Sequence, residues 1–316
     1  GKTRVLTHRV AWLVLERDIP PWSIMAVTFT NKAAREMRER LEELLGESRA
    51  RRLTLGTFHA TCARILRREA ESIGISRDYA IFDSDDQLRV IKQVIKDLNL
   101  DDKRYRPRAV HSAISRAKNE LLGPDEFPIN SYLDEVVQRI YVRYQQLLLN
   151  SNALDFDDLL VYLLVLLKDY PTIRDRMSSA YQYIMVDEYQ DTNAPQYSLV
   201  WLRTRSHQNV CAVGDEDQSI YGFRGADINN ILRFESDFPG AVTIKLEQNY
   251  RSTKTILKAA TAVVANNKDR KDKTMWTDGP EGSPVTVLAA YDAREEAESI
   301  VQRIALHLKE GIPRVA

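Results

Sequence analysis

The sequence predicts an α/β protein, a parallel sheet flanked by helices and interrupted by a helical insertion. Three observations predict it. Short apolar runs rich in Val and Ile recur at 24–27, 53–55, 183–186, 210–213 and 242–246 of the 316 residues. Runs of that kind read as strands buried on both faces. Each run is followed by a polar and aromatic cluster, and open α/β sheets bind ligands beyond the carboxyl ends of their strands. Finally, the chain opens on Gly1-Lys2-Thr3, the last three residues of a phosphate-binding G-x-x-x-x-G-K-[ST] loop.

The elements follow in order. Leu6, Val10, Leu13 and Val14 share one helical face, which predicts a helix whose N-terminus meets phosphate. The first strand leads into Thr28-Phe29-Thr30-Asn31-Lys32, and residues 32–45 read as an amphipathic helix through Ala33, Met37, Leu41 and Leu44. The second strand leads into Thr57-Phe58-His59. From about 77 to 152 the strand pattern stops. Leu88, Ile91, Ile95 and Leu98 make one helical stripe, Val110, Ile114 and Ala117 another, and Val136, Ile140 and Leu147 a third. This reads as a helical insertion in the sheet domain. The third strand ends in Asp187-Glu188, the fourth in Gly214-Asp215-Glu216-Asp217-Gln218, the fifth in Gln248-Asn249-Tyr250-Arg251. Five clusters in register argue for one composite site. Residues 269–282 read as a polar linker or surface loop. A strand at 284–289 and a helix at 294–309 then open a second α/β domain.

Composition narrows the class. Hydrophobic residues make up 44% and charged residues 28% of the chain, as in soluble globular proteins. Lys plus Arg and Asp plus Glu each total 45, so the formal net charge is +0. A nucleic-acid site must therefore be a local surface. Cys62 and Cys211 form no C-x-x-C pair, and the histidines at 8, 59, 111, 207 and 307 offer no i, i+4 metal pair. The longest apolar stretch, 159–167, is too short to span a bilayer. No secretory signal opens the sequence, so the expected compartment is cytoplasmic.

The chemistry centres on Asp187 and Glu188. Two carboxylates at the end of a buried strand suit phosphoanhydride cleavage. The first can hold Mg²⁺ and the second can orient and deprotonate water. The plain alternative is a pair of solvated acids, but Asn193-Ala194-Pro195 starts a helix directly after and holds the acids on a short turn. Lys2 can reach phosphate and Thr3 can ligate the metal; the alternative is a trimmed terminus without a role. Gln218 can sense a γ-phosphate through its amide. Tyr221 and Phe223 can offer faces to unpaired bases, and Arg224 can meet a phosphate or carboxylate; the alternative is a Gly-rich turn with two core aromatics. Tyr250 can stack on a purine and Arg251 can contact the γ-phosphate, or the two can be a packed ring and a surface charge. Phe29, Thr30 and Asn31, with Thr57, Phe58 and His59, suit the backbone and bases of a single strand. Thr30 or Asn31 is equally a helix cap. The basic run 103–108 reads as a solvated face.

Taken together, GKT, TFTNKAAREMRERL, TFHATCARILRR, VDEYQDTN, GDEDQSIYGFRGAD and LEQNYRS, in that order, resemble the superfamily 1 DNA helicases of the UvrD/Rep/PcrA type. The resemblance extends through AKNELL and LDFDDLL in and beside the insertion. It implies RecA-like P-loop NTPase domains: 1–76 and 153–250 as two parts of the first, 77–152 as its helical insertion, and 251–316 as the start of the second. It also implies ATP and Mg²⁺ as cofactors, with 3′→5′ translocation on single-stranded DNA, unwinding at single-strand/duplex junctions, and service in repair or replication. Carried over, Gly1, Lys2, Thr3, Arg4 and Tyr250 bind the nucleotide, and Thr3 and Asp187 hold the metal. Glu188 activates water, and Gln218 and Arg251 read the γ-phosphate. Phe29, Thr30, Asn31, Thr57, Phe58, His59, Tyr221, Phe223 and Arg224 lie along the DNA path, Arg224 in the motif that couples the two sites. Phe223 stands where bacterial members commonly carry Trp. The resemblance places an adenine-selecting glutamine segment and the front of the phosphate loop before Gly1. Most of the second domain is placed after Ala316. Two other readings stay open: a DNA-binding piece that hydrolyses ATP poorly, and part of a helicase–nuclease.

Overall fold

A computed structural model of the chain describes residues 1–267, 270–271 and 273–312, and for Arg224 the backbone alone. Among the described residues six strands form: β1 (Ile24–Thr28), β2 (Thr54–Thr57), β3 (Ala80–Phe82), β4 (Ala153–Asp155), β5 (Tyr183–Val186) and β6 (Val210–Ala212). Four of them make a parallel sheet in the order β2-β1-β5-β6. Side chains alternate across its two faces, as the pleat requires. Met25, Val27, Ile184 and Val186 enter one apolar cluster, while Ile24, Ala26 and Met185 enter another.

Helices cover both faces. In chain order they are α1 (Lys2–Leu15), α2 (Asn31–Leu45), α3 (Glu47–Ala50), α4 (Phe58–Glu69), α5 (Ser84–Asp97), α6 (Pro107–Asn119) and α7 (Tyr132–Asn150). Then come α8 (Phe156–Asp169), α9 (Pro171–Ala180), α10 (Ala194–Thr204), α11 (Asn229–Leu232), α12 (Phe234–Asp237), α13 (Lys254–Val264) and α14 (Ala293–Lys309). Leu6 and Val10 of α1 and Met37 and Leu41 of α2 pack on one sheet face. Ile65 and Leu66 of α4, Leu163 and Leu167 of α8 and Leu199 of α10 pack on the other. Leu163 is fully buried, so Leu163→Ala removes a core side chain at a cost of about 2–5 kcal/mol.

The insertion has its own core. Ile91, Val94 and Ile95 of α5, Val110 and Ile114 of α6, and Val136, Ile140 and Leu148 of α7 make a third cluster. Side-chain caps start two of these helices, Asp83 for α5 and Ser131 for α7. A short parallel pair, β3 with β4, joins the two ends of the insertion. Lys118 fastens it to the sheet domain: its Nζ lies 2.6 Å from Asp155 Oδ2 and 2.7 Å from Asp158 Oδ1, and Tyr144 donates to Asp155 Oδ2 at 2.8 Å. Burial works against the ammonium, but the two carboxylates outweigh it and hold the Lys118 pKa up.

Two expected strands are not formed. Residues 242–246 carry no assigned secondary structure and are exposed, with Val242 83% accessible, and the same holds of 284–289. An apolar run becomes a strand only where a neighbour completes its backbone hydrogen bonds, and among the described residues neither run joins a sheet. The polar stretch at 269–282 includes 269 and 272, which lie outside the described residues.

The chain divides into two compact units: Gly1–Leu246 with Asp269–Asp272, and Glu247–Lys268 with Lys273–Ala316. The second unit contains α13, α14 and a lone bridge between Gln248 and Trp276.

Candidate active site

The first unit gathers its chemistry at the carboxyl ends of β5 and β6 and at the start of α1. Gly1 occupies the N-cap position of α1, so the helix dipole and free N–H groups of the first turn point where an anion is favoured. Lys2 Nζ lies 2.9 Å from Glu188 Oε2 and donates to Gln218 Oε1 at 3.1 Å. Thr3 Oγ1 donates to Asp187 Oδ2 at 3.0 Å. Three segments far apart in sequence thus meet within hydrogen-bond reach. Arg4 points elsewhere on α1, to His8 Nε2 at 3.4 Å.

β5 delivers the acids. The Asp187 amide is still in the ladder, donating to Val27 O at 3.0 Å, and its side chain is buried. Burial pushes the Asp187 pKa up, with the Glu188 charge adding to the rise. Glu188 takes a left-handed conformation, φ 50 and ψ 47, which is uncommon away from glycine. The turn swings its carboxylate toward Lys2. Such local strain persists only where surrounding contacts over-determine it.

Gln190 is the main contact that sequence reasoning underused. It is buried; its Nε2 donates to Glu188 Oε2 at 3.0 Å and to Asp191 Oδ2 at 3.3 Å, and its Oε1 accepts from the Asp215 amide at 3.0 Å. One amide therefore joins the acid turn to the loop that carries Gln218. Gln218 is in turn fixed by donating to Asp215 Oδ2 at 2.6 Å. Gly214 is required here, because a Cβ would sit 2.8 Å from Gln190 Oε1 and 2.7 Å from Ile231 Cδ1. Burial raises the Asp191 pKa to about 6, with Glu188 adding to it, and Asp191 Oδ1 has no hydrogen-bond partner among the described residues. The signal was present in the sequence as a Gln and an Asp one residue beyond the acids, after Tyr189.

Mg²⁺ fits this donor set. It prefers oxygen, takes one or two protein ligands and keeps several waters. The Thr3 hydroxyl and the buried Asp187 carboxylate are hard oxygen donors already in contact. A buried carboxylate whose burial disfavours its charge is stabilised by an adjacent cation. No group of three or more His, Cys, Asp or Glu residues suited to a metal occurs among the described residues.

The expected DNA-facing residues separate into used and exposed groups. Thr30 caps α2 through the Ala33 amide at 3.1 Å, and Thr57 caps α4 through the Ala60 amide at 3.2 Å. Asn31 is exposed on the first turn of α2. Phe58 does not present a face to solvent. It is 5% exposed and belongs to the sheet core, with its ring centroid 5.6 Å from that of half-buried Phe29. A helix-start aromatic with a strand behind it faces inward because the core lies there. His59 meets Phe156 edge-on at 5.8 Å, and burial lowers its pKa, favouring the neutral ring. Phe156 is itself exposed and was not singled out in the sequence. Tyr221 and Phe223 are exposed neighbours, ring centroids 6.0 Å apart, and Phe223 is 78% accessible. The side chain of Arg224 lies outside the described residues.

Tyr250 and Arg251 belong to the second unit, and both are exposed. Asn249 Oδ1 accepts from the Arg251 amide at 2.9 Å and the Ser252 amide at 2.8 Å, which shapes the turn that presents them. Tyr250 donates its hydroxyl to Gln248 Oε1.

Comparison with known proteins gives a consistent result. Residues 1–239 match the family described as UvrD/REP helicase N-terminal domain, and residues 244–314 match the UvrD-like helicase C-terminal domain. The chain is 49% identical over 313 residues to the ATP-dependent DNA helicase PcrA of Staphylococcus aureus, covering 98% of this chain and 43% of that protein. It is 50% identical over 306 residues to PcrA of Bacillus subtilis, covering 96% and 41% respectively. PcrA of Staphylococcus epidermidis is 50% identical over 313 residues, with 98% and 43% covered. The chain thus spans less than half the length of these relatives.

Proposed function

We propose a motor function from one premise: this chain belongs to the UvrD/REP helicase family. The protein hydrolyses ATP and uses the cycle to move 3′→5′ on single-stranded DNA, opening duplex at single-strand/duplex junctions during repair or replication in the cytoplasm. The observation that carries this reading is the meeting of Lys2, Thr3, Asp187, Glu188 and Gln218 at one edge of the sheet.

In this reading Lys2 and the first turn of α1, with Gly1 at its cap, hold the phosphates. Thr3 and Asp187 hold Mg²⁺, which when bound neutralises phosphate charge. Glu188 orients water and takes its proton. Gln218 registers the γ-phosphate and, through Asp215 and Gln190, shares its position with Glu188. Arg251 is assigned to the γ-phosphate and Tyr250 to the adenine. Phe29, Thr30, Asn31, His59, Tyr221, Phe223 and Arg224 serve the DNA path. Thr57 and Phe58 support it from beneath as cap and core. Residues 77–152 form the helical insertion of a first RecA-like domain made of 1–76 and 153–250, and 251–316 begin a second. No helix among the described residues is long and apolar enough to cross a membrane.

Strand displacement by the full-length protein tests the proposal. ATP-dependent opening of a duplex with a 3′ single-stranded tail, and not of one with a 5′ tail, is expected. Equal opening of both, or opening without ATP, would refute the directed motor.

A further inference from the structure

We infer that Asn119, at the C-terminal end of α6, is a positioning residue through which the helical insertion holds both the acid turn and the aromatic turn in register. The inference rests on the motor reading above and adds a coupling route to it.

Every polar atom of the Asn119 side chain is engaged. Nδ2 donates to Ser115 O at 2.8 Å and to Asp157 Oδ1 at 3.1 Å, and Oδ1 accepts from Asn193 Nδ2. Its base is fixed because the preceding residue is Lys118, buried against Asp155 and Asp158. Asn119 therefore moves with the insertion and with the start of α8 together.

Asn193 is the end of the acid-bearing segment. Its Oδ1 caps α10 through the Gln196 amide at 3.0 Å, and its Nδ2 is the group given to Asn119. Thr192, one residue earlier, accepts at its carbonyl from the Asp227 amide at 3.0 Å and from Asn230 Nδ2 at 2.9 Å. The residues after Phe223 are thereby hydrogen-bonded to the residues after Glu188.

Asn119 also lies beside that second segment. Gly225 has φ +83, and a Cβ there would come 3.3 Å from Asn119 Cβ. Both the left-handed backbone and the close approach call for glycine. One insertion side chain thus packs against the turn that presents Tyr221 and Phe223 and bonds to the segment that presents Asp187 and Glu188. A shift of the aromatic turn on a DNA strand cannot leave the acid turn in place unless this junction breaks. Asn119 touches neither phosphate nor base on this account and acts through Asn193 and Gly225.

The test uses the full-length protein with Asn119→Ala, Asn193→Ser and the double variant; Ser keeps a capping oxygen and loses the reach to Asn119. ATP KM and DNA-free turnover are expected to stay within about twofold of the parent, while single-strand-stimulated kcat falls about tenfold in each variant, a size usual for coupling residues. The double variant is expected to lose no more than either single one, since both remove one contact. Amide exchange at Asp227 is expected to quicken in Asn119→Ala. Parallel loss of basal and stimulated turnover, multiplying losses in the double variant, or unchanged exchange at Asp227 would each overturn the inference. A parent protein without DNA stimulation would instead sink the motor reading, leaving the exchange result to judge Asn119.

Discussion

Lys2 and Glu188 are joined by a 2.9 Å ion pair, with Lys2 Nζ also bonded to Gln218. The pair links the first turn of α1 to the end of β5 across 186 residues of chain. In the motor reading proposed above, nucleotide phosphate competes with Glu188 for the Lys2 ammonium.

Thr3 and Asp187 make the first prediction. Thr3→Val keeps the shape and removes the hydroxyl bonded to Asp187 at 3.0 Å. Half-maximal ATPase is expected to need about tenfold more Mg²⁺, the lower end of the usual effect of disturbing a metal site. Titration of activity against Mg²⁺ checks it; an unchanged midpoint would remove Thr3 from the metal.

Asp191 supplies a pH prediction. Its folded pKa is raised to about 6, mainly by burial, against about 3.9 in an unfolded chain. A raised carboxyl pKa means that its contribution to stability is fully present below about pH 4 and is lost as pH rises through about 6. Asp191→Asn should therefore melt higher than the parent at pH 8, with the gap closing toward pH 4. Thermal melts across that range decide it, and a gap that widens in acid would contradict the burial argument.

Lys118 is a buried anchor of the insertion. It, Asp155 and Asp158 are each 2% exposed. Lys118→Met leaves two buried carboxylates facing each other and is expected to cost about 3–5 kcal/mol. Urea unfolding measures it. A loss below about 1 kcal/mol would place the pair in the range of exposed surface bridges.

Phe58 and Phe223 should behave oppositely. Phe58→Ala empties a core position and is expected to lower stability by about 3–5 kcal/mol. Phe223→Ala is expected to leave the melt nearly unchanged and weaken single-stranded DNA binding by about 1–3 kcal/mol. Fluorescence anisotropy with a short oligonucleotide, paired with melting curves, separates the two. Loss of DNA affinity from Phe58→Ala at full stability would reverse the assignment.

The inner strands β1 and β5 were legible because they are nearly continuous apolar runs, and the acid turn because two carboxylates close such a run. Periodicity likewise revealed the insertion helices. It could not reveal β3 and β4, three residues each, too short to show a pattern. The runs at 242–246 and 284–289 carry strand-like composition, but composition does not supply a neighbour. Phe58 and Phe223 were indistinguishable as letters; only the side of the helix or turn they occupy decides which one meets solvent. The pairing of Asn119 with Asn193 was illegible for a further reason: such a contact is pairwise, and the two residues lie 74 apart in sequence.

Single-turnover ATP hydrolysis by the full-length Glu188→Gln protein, with nucleotide binding measured separately, tests the central assignment most directly. The account predicts ATP affinity no weaker than the parent, because Lys2 loses its competing carboxylate, and a chemical step slowed by about 10²–10⁴-fold. Hydrolysis at the parental rate would contradict it, and so would a loss confined to ATP binding.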